Sequence, residues 1–162
     1  MSDAIELIKS RRSVRKYKKQ GVPDELVKKV LEAGLWAPSS NHSEPVEFIV
    51  VKDEKKRGEL SKISAWSGFL KNAPVNIAVI AKDSECIVED GSVAVMCMML
   101  EAHSLGLGTC WVECSKAQEF VKKALGIPDE YAVITVLPLG WPDEKKTSER
   151  KPLGASVHEE KY

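Results

Sequence analysis

Six cationic side chains crowd into nine positions near the start of the chain, between Arg11 and Lys19. Crowded cations repel one another, and a bound anion would offset that Coulomb cost. Arginine presents a planar fork of donors that fits phosphate, and the Ser13 hydroxyl can donate to a phosphate oxygen. An anion-binding segment is therefore one interpretation of the run. A solvated basic helix end, or a patch for the phosphate backbone of a nucleic acid, are the alternatives.

The cysteines and histidines suggest a second, weaker chemistry. Cys110 and Cys114 are four positions apart, which loosely resembles the spacing of metal ligands, but no second Cys/His pair has matching spacing. The three histidines are scattered along the chain. A zinc module therefore stays as an alternative, and we expect no metal. The cysteines are expected to be reduced thiols, since a cytoplasmic location is the expectation for this chain.

Length and composition narrow the possible classes of protein. The chain has 162 residues, with 43% hydrophobic and 30% charged side chains, which predicts one globular domain over residues 1–162. Lys+Arg and Asp+Glu both number 24, so no overall field would attract nucleic acid or an anionic membrane. No apolar run approaches the roughly 20 residues of a membrane-spanning helix. The start lacks the apolar core of a signal peptide, so a cytoplasmic protein is expected.

The elements around the basic run are helical. Apolar spacing predicts a helix over residues 3–12, which ends in the basic run, and a second helix from Asp24 towards Pro38. A polar loop over residues 37–45 follows, and such loops often contribute to binding. If the first helix ends near Arg12, the basic run is available to fold around a ligand.

Four strands and three further helices are predicted beyond this loop. The strands are expected at 46–52, 75–81, 109–113 and 131–141, and helices at 53–63, 88–105 and from a Ser115/Gln118 capping box to Leu125. Since two helices precede any strand, an α+β fold is favoured over a regular βαβ alternation. The glycine signatures of Rossmann and P-loop proteins are absent from the sequence.

The long helix at 88–105 is apolar on nearly every face. Val93, Met96 and Leu100 repeat at helical spacing, while Ala94, Val95, Met98 and Met99 fill other faces. A helix of this kind must be covered on most sides. The sequence therefore favours a subunit interface along it, with burial by its own sheet as the alternative.

Several motifs together resemble the FMN-dependent nitroreductase family. They occur in order along nearly the whole chain: Arg11-Arg12-Ser13-Val14-Arg15-Lys16-Tyr17, Ala37-Pro38-Ser39 with Pro45, Gly106-Leu107-Gly108-Thr109-Cys110-Trp111, Gly126-Ile127-Pro128 with Gly140-Trp141-Pro142, and Arg150-Lys151-Pro152-Leu153. The resemblance implies a mixed sheet flanked by helices. It also implies an intertwined homodimer with FMN at the subunit interface.

The resemblance assigns cofactor-binding roles to four groups of residues. The residues that would hold the phosphate and ribityl end of FMN and one edge of its ring are Arg11, Arg12, Ser13 and Arg15. The residues that would reach the same phosphate from the tail of the chain are Arg150 and Lys151. Those contributed by the other subunit are Pro38, Ser39, Ser40 and Asn41. Those along the isoalloxazine ring are Thr109, Cys110, Trp111, Val112 and Glu113. His42 and Glu44 stand where the family commonly has amides, which changes the available hydrogen-bond donors.

The activity that the resemblance implies is a ping-pong oxidoreduction. NADH or NADPH would reduce the flavin at N5, and an electron-poor small molecule such as a nitroaromatic or a quinone would then be reduced. No side chain is assigned as a catalytic acid or base. Reductive dehalogenation or flavin breakdown on the same fold, and a non-enzymatic nucleic-acid-binding or partner-binding domain, remain alternatives.

Overall fold

The computed structural model describes residues 3–162. Its α-helices are α1 (Ala4–Ser10), α2 (Asp24–Leu35), α3 (Glu54–Leu60), α4 (Ile87–Ser104) and α5 (Gln118–Leu125). Its strands are β1 (Val46–Val51), β2 (Val75–Ala81), β3 (Gly108–Thr109) and β4 (Ala132–Gly140). Short 3-10 turns lie at Ser40–His42, Gly68–Asn72, Ser115–Ala117 and Leu153–Ala155.

The strands form one antiparallel sheet in the order β1-β2-β4-β3. Both faces are covered, which is why β2 is apolar at almost every position and buried throughout. Ile77 and Val79 face one core, which includes Met98 of α4. Ala78 and Ile80 face the other core, with elements such as α3 and α5. The α+β fold predicted from the sequence is confirmed.

The first helix is shorter than predicted, and this exposes the basic run. Asp3 accepts a hydrogen bond from the Ile5 amide at 3.2 Å and caps the start of α1. Helix α1 ends at Ser10, and Arg11 already has an extended backbone with φ −59° and ψ 133°. The basic run therefore continues as extended chain rather than as a further helical turn.

Two other local predictions were wrong, for side-chain reasons. The strand expected over residues 109–113 stops at Thr109. The Thr135 hydroxyl accepts a hydrogen bond from the Val112 amide and donates one to the Val112 carbonyl, so these groups are not paired with another strand. The expected Ser115/Gln118 capping box does not form. The Gln118 amide instead exchanges two hydrogen bonds with the backbone of Val133, at 2.6 and 2.7 Å.

Helix α4 is buried on one side only. Val95, Met98 and Ala102 are buried in the core below the sheet, whereas Val93 is 40% and Met96 37% exposed. Exposed apolar residues also lie on α1, at Ile5 and Ile8. Within residues 3–162, no helix has the length and apolar character needed to cross a membrane.

Candidate functional site

The basic run is fixed against the end of the sheet by backbone hydrogen bonds. Ser13 forms a parallel bridge with Thr109, and the Val14 amide donates to the Thr109 carbonyl at 2.8 Å. Further along, the Lys18 amide donates to the Trp141 carbonyl at 2.9 Å. The run thus extends the sheet alongside β3 and the end of β4, which sets the positions of its cationic side chains.

Close packing between the basic run and β3 explains the glycine at position 108. A Cβ atom added to Gly108 would lie 2.8 Å from Val14 Cβ, closer than side chains normally approach. Only glycine lets the backbone of β3 come this near to the basic run. The arrangement therefore depends on Gly108 as well as on the arginines.

The tail of the chain returns to the same place. Arg12 donates through Nη1 to the Lys9 carbonyl at 2.6 Å, and through Nη2 to the Ser148 carbonyl at 3.3 Å. Arg150 donates to the Ser148 hydroxyl at 2.5 Å. Two segments 136 positions apart in sequence therefore supply cations to one cluster. Lys151 is exposed, and no contact of its side chain places it in this cluster.

Arg11 is the cation of the cluster whose pKa burial and charge repulsion lower. Burial lowers its pKa, and repulsion from the charges of Arg12 and Arg150 lowers it further. Within residues 3–162, buried Nε and Nη1 of Arg11 and Nε of Arg12 have no hydrogen-bond partner. Buried donors without an acceptor are costly. A phosphate group would satisfy both the charge and the donors, so the residues present fit a phosphorylated ligand.

The cluster opens into a cavity of about 420 Å³, whose lining includes Arg11, Arg12, Thr109 and His103. Nε2 of His103 lies 2.8 Å from the Ser10 hydroxyl. Burial lowers the pKa of His103, and the positive charges of Arg11 and Arg12 lower it further. Sequence reasoning did not assign His103 to the site, and its position on the apolar helix α4 gave no signal for it.

A second cavity, of about 260 Å³, lies beside the first. Its lining contains Cys110, Trp111, Val112 and Glu113, together with Arg15, Trp66 and Phe69. Because Thr109 lines the cationic cavity and Cys110 lines this one, the chain passes directly from one to the other. Three aromatic side chains make this second cavity, called here the aromatic cavity, suitable for a planar ring. The sequence did not indicate Trp66 or Phe69.

Two titratable groups border these cavities. Burial raises the pKa of the Cys110 thiol, so it is held as a neutral group. Glu144 accepts hydrogen bonds from the Arg15 amide at 2.5 Å and the Lys16 amide at 3.2 Å. Burial alone would raise the pKa of Glu144, but these bonds and Lys146 together lower it. Glu144, which sequence reasoning also missed, therefore fixes the backbone between the two cavities.

The loop from Pro38 to Asn41 does not join the arginine cluster within one chain. Pro38 and Ser39 line a separate cavity of about 150 Å³, and the Ser40 amide donates to Asp90 at 2.9 Å. Asn41, His42 and Glu44 all have positive φ, a costly backbone conformation for residues other than glycine. Nε2 of His42 lies 2.9 Å from Oε1 of Glu44, and both side chains are exposed. The loop is thus held in an unusual backbone shape.

The metal alternative finds no support in the described part of the chain. Over residues 3–162, no group of three or more His, Cys, Asp or Glu side chains could hold a metal ion. Cys110 and Cys114 are both buried free thiols. Burial raises the pKa of Cys114 to about 11.

The antiparallel sheet is flanked by helices, and the cationic cavity adjoins a cavity with three aromatic side chains. Comparison with known proteins agrees: the model of the nitroreductase family matches residues 8–74 and 64–141. The chain therefore belongs to the nitroreductase family, as its motifs indicated.

Individual relatives cover nearly the whole chain. A protein of Methanothermobacter thermautotrophicus, provisionally named an NADH dehydrogenase/NAD(P)H nitroreductase, is 37% identical over 88% of this chain and 78% of its own length. The structure of an FMN-dependent nitroreductase from Clostridium difficile has a TM-score of 0.93 and 35% identity, covering 98% of this chain and 99% of that one. An iodotyrosine deiodinase of Thermotoga neapolitana is 27% identical over 90% of this chain and 92% of its length.

Proposed function

We propose that the protein is an FMN-dependent oxidoreductase that uses NADH or NADPH to reduce an electron-poor small molecule, such as a nitroaromatic or a quinone. The observation that supports this most is the set of buried guanidinium nitrogens of Arg11 and Arg12 that lack partners. The family relationship supplies the class of enzyme, since the relatives bear the names of NAD(P)H nitroreductases and FMN-dependent enzymes.

The phosphate of FMN suits the cationic cavity. A phosphate monoester carries nearly two negative charges near neutral pH and offers three acceptor oxygens. Arg11, Arg12 and Arg150 would supply the opposing charge, with the Ser13 hydroxyl as a further donor. Holding the phosphate would remove the repulsion that now lowers the pKa of Arg11. The cofactor would therefore stabilise the cluster that binds it.

The ring end suits the aromatic cavity. When bound, FMN supplies the transfer of hydride and electrons, and the protein has to position the cofactor and control access to it. Trp111, Val112 and Glu113 line this cavity, and because the Val112 amide is already bonded to the Thr135 hydroxyl, the amides we assign to the edge of a flavin ring are those of Trp111 and Glu113. Arg15 provides a positive charge at the same wall, which would favour an anionic reduced ring.

A homodimer would complete the site. The Pro38–Asn41 loop lies apart from the arginine cluster of its own chain and has a strained backbone. We assign this loop to the cofactor site of a second copy, which also explains why α4 leaves Val93 and Met96 exposed. Burial of these apolar side chains against the second copy would drive association.

Reductive dehalogenation is the second candidate activity. The deiodinase relative, although only 27% identical, covers most of both chains. The two activities share the cofactor and differ in the acceptor. A panel of nitroaromatics, quinones and halogenated phenols, assayed under anaerobic conditions, would separate them.

A visible absorption spectrum of the protein loaded with FMN tests the proposal. The account expects a bound flavin band that NADH or NADPH bleaches without oxygen, and that an acceptor such as a nitroaromatic restores. A protein that takes up no FMN, or a bound flavin that neither nicotinamide donor reduces, would contradict it.

A further inference from the structure

A further concave surface lies next to the aromatic cavity and is strongly basic. This basic cleft, of about 600 Å³, is lined by six cationic residues and two anionic ones among twelve in all. The cations are Arg15, Lys16, Lys18, Lys19, Arg57 and Lys71. The chain as a whole has no net charge, so this excess is local.

The cations of the cleft differ in what they already contact. Arg57 is structural: it donates to the carbonyls of Lys71 and Ala73 at 2.8 and 2.7 Å, and to Lys52 at 3.1 Å. In contrast, Lys16, Lys18, Lys19 and Lys71 form none of the ion pairs found within residues 3–162. Four ammonium groups are therefore available to a ligand.

The backbone that presents these lysines is rigid. The Lys18 amide donates to the Trp141 carbonyl, and the Lys16 carbonyl accepts from the Asp143 amide, both at 2.9 Å. On the opposite wall, Arg57 holds the carbonyl of Lys71. A surface whose walls are fixed in advance loses little entropy when a ligand binds.

The basic cleft is continuous with the aromatic cavity. Arg15 lines both of them, and its guanidinium carbon lies 6.0 Å from the centroid of the Phe69 ring. Phe69 and Lys71 belong to the same 3-10 turn, and one lines each cavity. A ligand with a planar ring at one end and phosphates at the other could therefore occupy both.

We propose that the basic cleft binds the phosphate groups of the nicotinamide dinucleotide donor, so that its nicotinamide ring reaches the flavin ring at the mouth of the aromatic cavity. This inference rests on the proposed function. The pyrophosphate would face the lysines in either donor. The additional 2′-phosphate of NADPH brings up to two more charges, so NADPH binds more tightly than NADH. The interaction is electrostatic and exposed, and it weakens as salt is added.

The test uses the FMN-loaded protein and a pair of matched double variants. K18Q/K19Q removes two adjacent charges from the cleft. K28Q/K29Q removes two adjacent exposed charges from α2, outside all the cavities described above. The KM for NADPH and for NADH is measured at low and high salt. The Kd of adenosine 2′,5′-bisphosphate, which undergoes no redox reaction, is measured by calorimetry, with inorganic phosphate as a competitor.

We expect K18Q/K19Q to raise the KM for NADPH and the Kd of the bisphosphate by roughly fivefold, the factor expected when two exposed ion pairs are lost. The KM for NADH should rise less, and K28Q/K29Q should behave as the wild type. Unchanged constants in K18Q/K19Q with normal flavin content would overturn the inference and leave the proposed function intact. Equal binding of inorganic phosphate and the bisphosphate would overturn it too. A protein that binds no flavin refutes both.

Discussion

Nη2 of Arg12 donates to the backbone carbonyl of Ser148 at 3.3 Å, across 136 positions of sequence. Arg150 donates a hydrogen bond to the hydroxyl of the same Ser148, so the tail brings Arg150 next to the basic run. Burial lowers the pKa of Arg11, and repulsion from the like charges of Arg12 and Arg150 lowers it further. The relationship is understandable if the cluster exists to hold an anion.

Replacing Arg11 by alanine should weaken FMN binding strongly. The side chain has two buried nitrogens without partners, and removal of one partner of a buried charge pair costs about 2 kcal/mol or more, roughly thirtyfold in Kd. K9A is the matched control, since Lys9 is exposed on α1, where it pairs with Glu6. Titration of the apo-protein with FMN measures both. A Kd unchanged in R11A would exclude Arg11 from the phosphate site.

The same variant should not destabilise the protein when FMN is absent. Arg11 contributes repulsion rather than attraction to the unliganded cluster, because its neighbours Arg12 and Arg150 are cations too. The free energy of unfolding of apo-R11A, from urea titration, should equal or exceed that of the wild type. A clear loss of stability would mean that Arg11 has a structural role.

Gly108→Ala should disrupt the contact between β3 and the basic run. The added methyl group would meet Val14 at 2.8 Å, and overpacking of this kind costs about 1–3 kcal/mol. Gly58→Ala is the control, because no atom lies within 4 Å of its added methyl group and the site is helical. That change should stabilise α3 by about 0.5–1 kcal/mol. Thermal unfolding of the two variants should therefore shift in opposite directions.

Sequence reasoning succeeded where local pattern determines structure. Strand β2 was predicted with its observed bounds, since an apolar run follows Pro74 and is covered on both faces. Helix α4 was predicted at 88–105, so each predicted end lies one position after the observed end. The motif order also led to the correct family, because five short patterns in sequence are far more specific than any one of them.

The parts of the structure that sequence reasoning missed depend on contacts between side chains far apart in sequence. Nothing near Val112 indicates that Thr135 would satisfy its backbone, so the strand after Thr109 was predicted too long. His103 and Ser148 entered the site only through the fold. Trp66 looked like part of an irregular loop, and its place beside Trp111 could be recognised only from the cavity that they share.

The stability of the apo-protein should depend on His103 as pH falls. Its pKa in the folded protein lies below the ordinary value of about 6.5, because burial and then the charges of Arg11 and Arg12 oppose protonation. The unfolded chain therefore binds more protons in that range, and stability falls as pH decreases through about 6.5. H103N should reduce this loss in denaturant titrations at several pH values.

His158 provides the control for that experiment. It lies exposed in the tail, where its ring stacks on Tyr162 at a centroid distance of 4.4 Å, so H158N should keep the pH dependence of the wild type. An H103N curve that parallels the wild type between about pH 7 and 5 would contradict the assignment of this dependence to His103.

Met96→Glu should weaken the proposed homodimer. Met96 is 37% exposed on the apolar face of α4, and a carboxylate buried there without a partner would be unfavourable. We expect the dimer dissociation constant to rise by about tenfold or more, measured by analytical ultracentrifugation. V50E on β1, where Val50 is also 37% exposed, is the matched control. Equal association of both variants would place the interface elsewhere.

The most direct test compares the affinity of the apo-protein for FMN and for riboflavin, which has the same ring but no phosphate. If Arg11, Arg12 and Arg150 hold the phosphate, FMN should bind at least about thirtyfold more tightly than riboflavin at low salt. The R11A variant should lose most of that difference. Equal affinity of the wild type for the two flavins would contradict the central claim of a phosphate site in the arginine cluster.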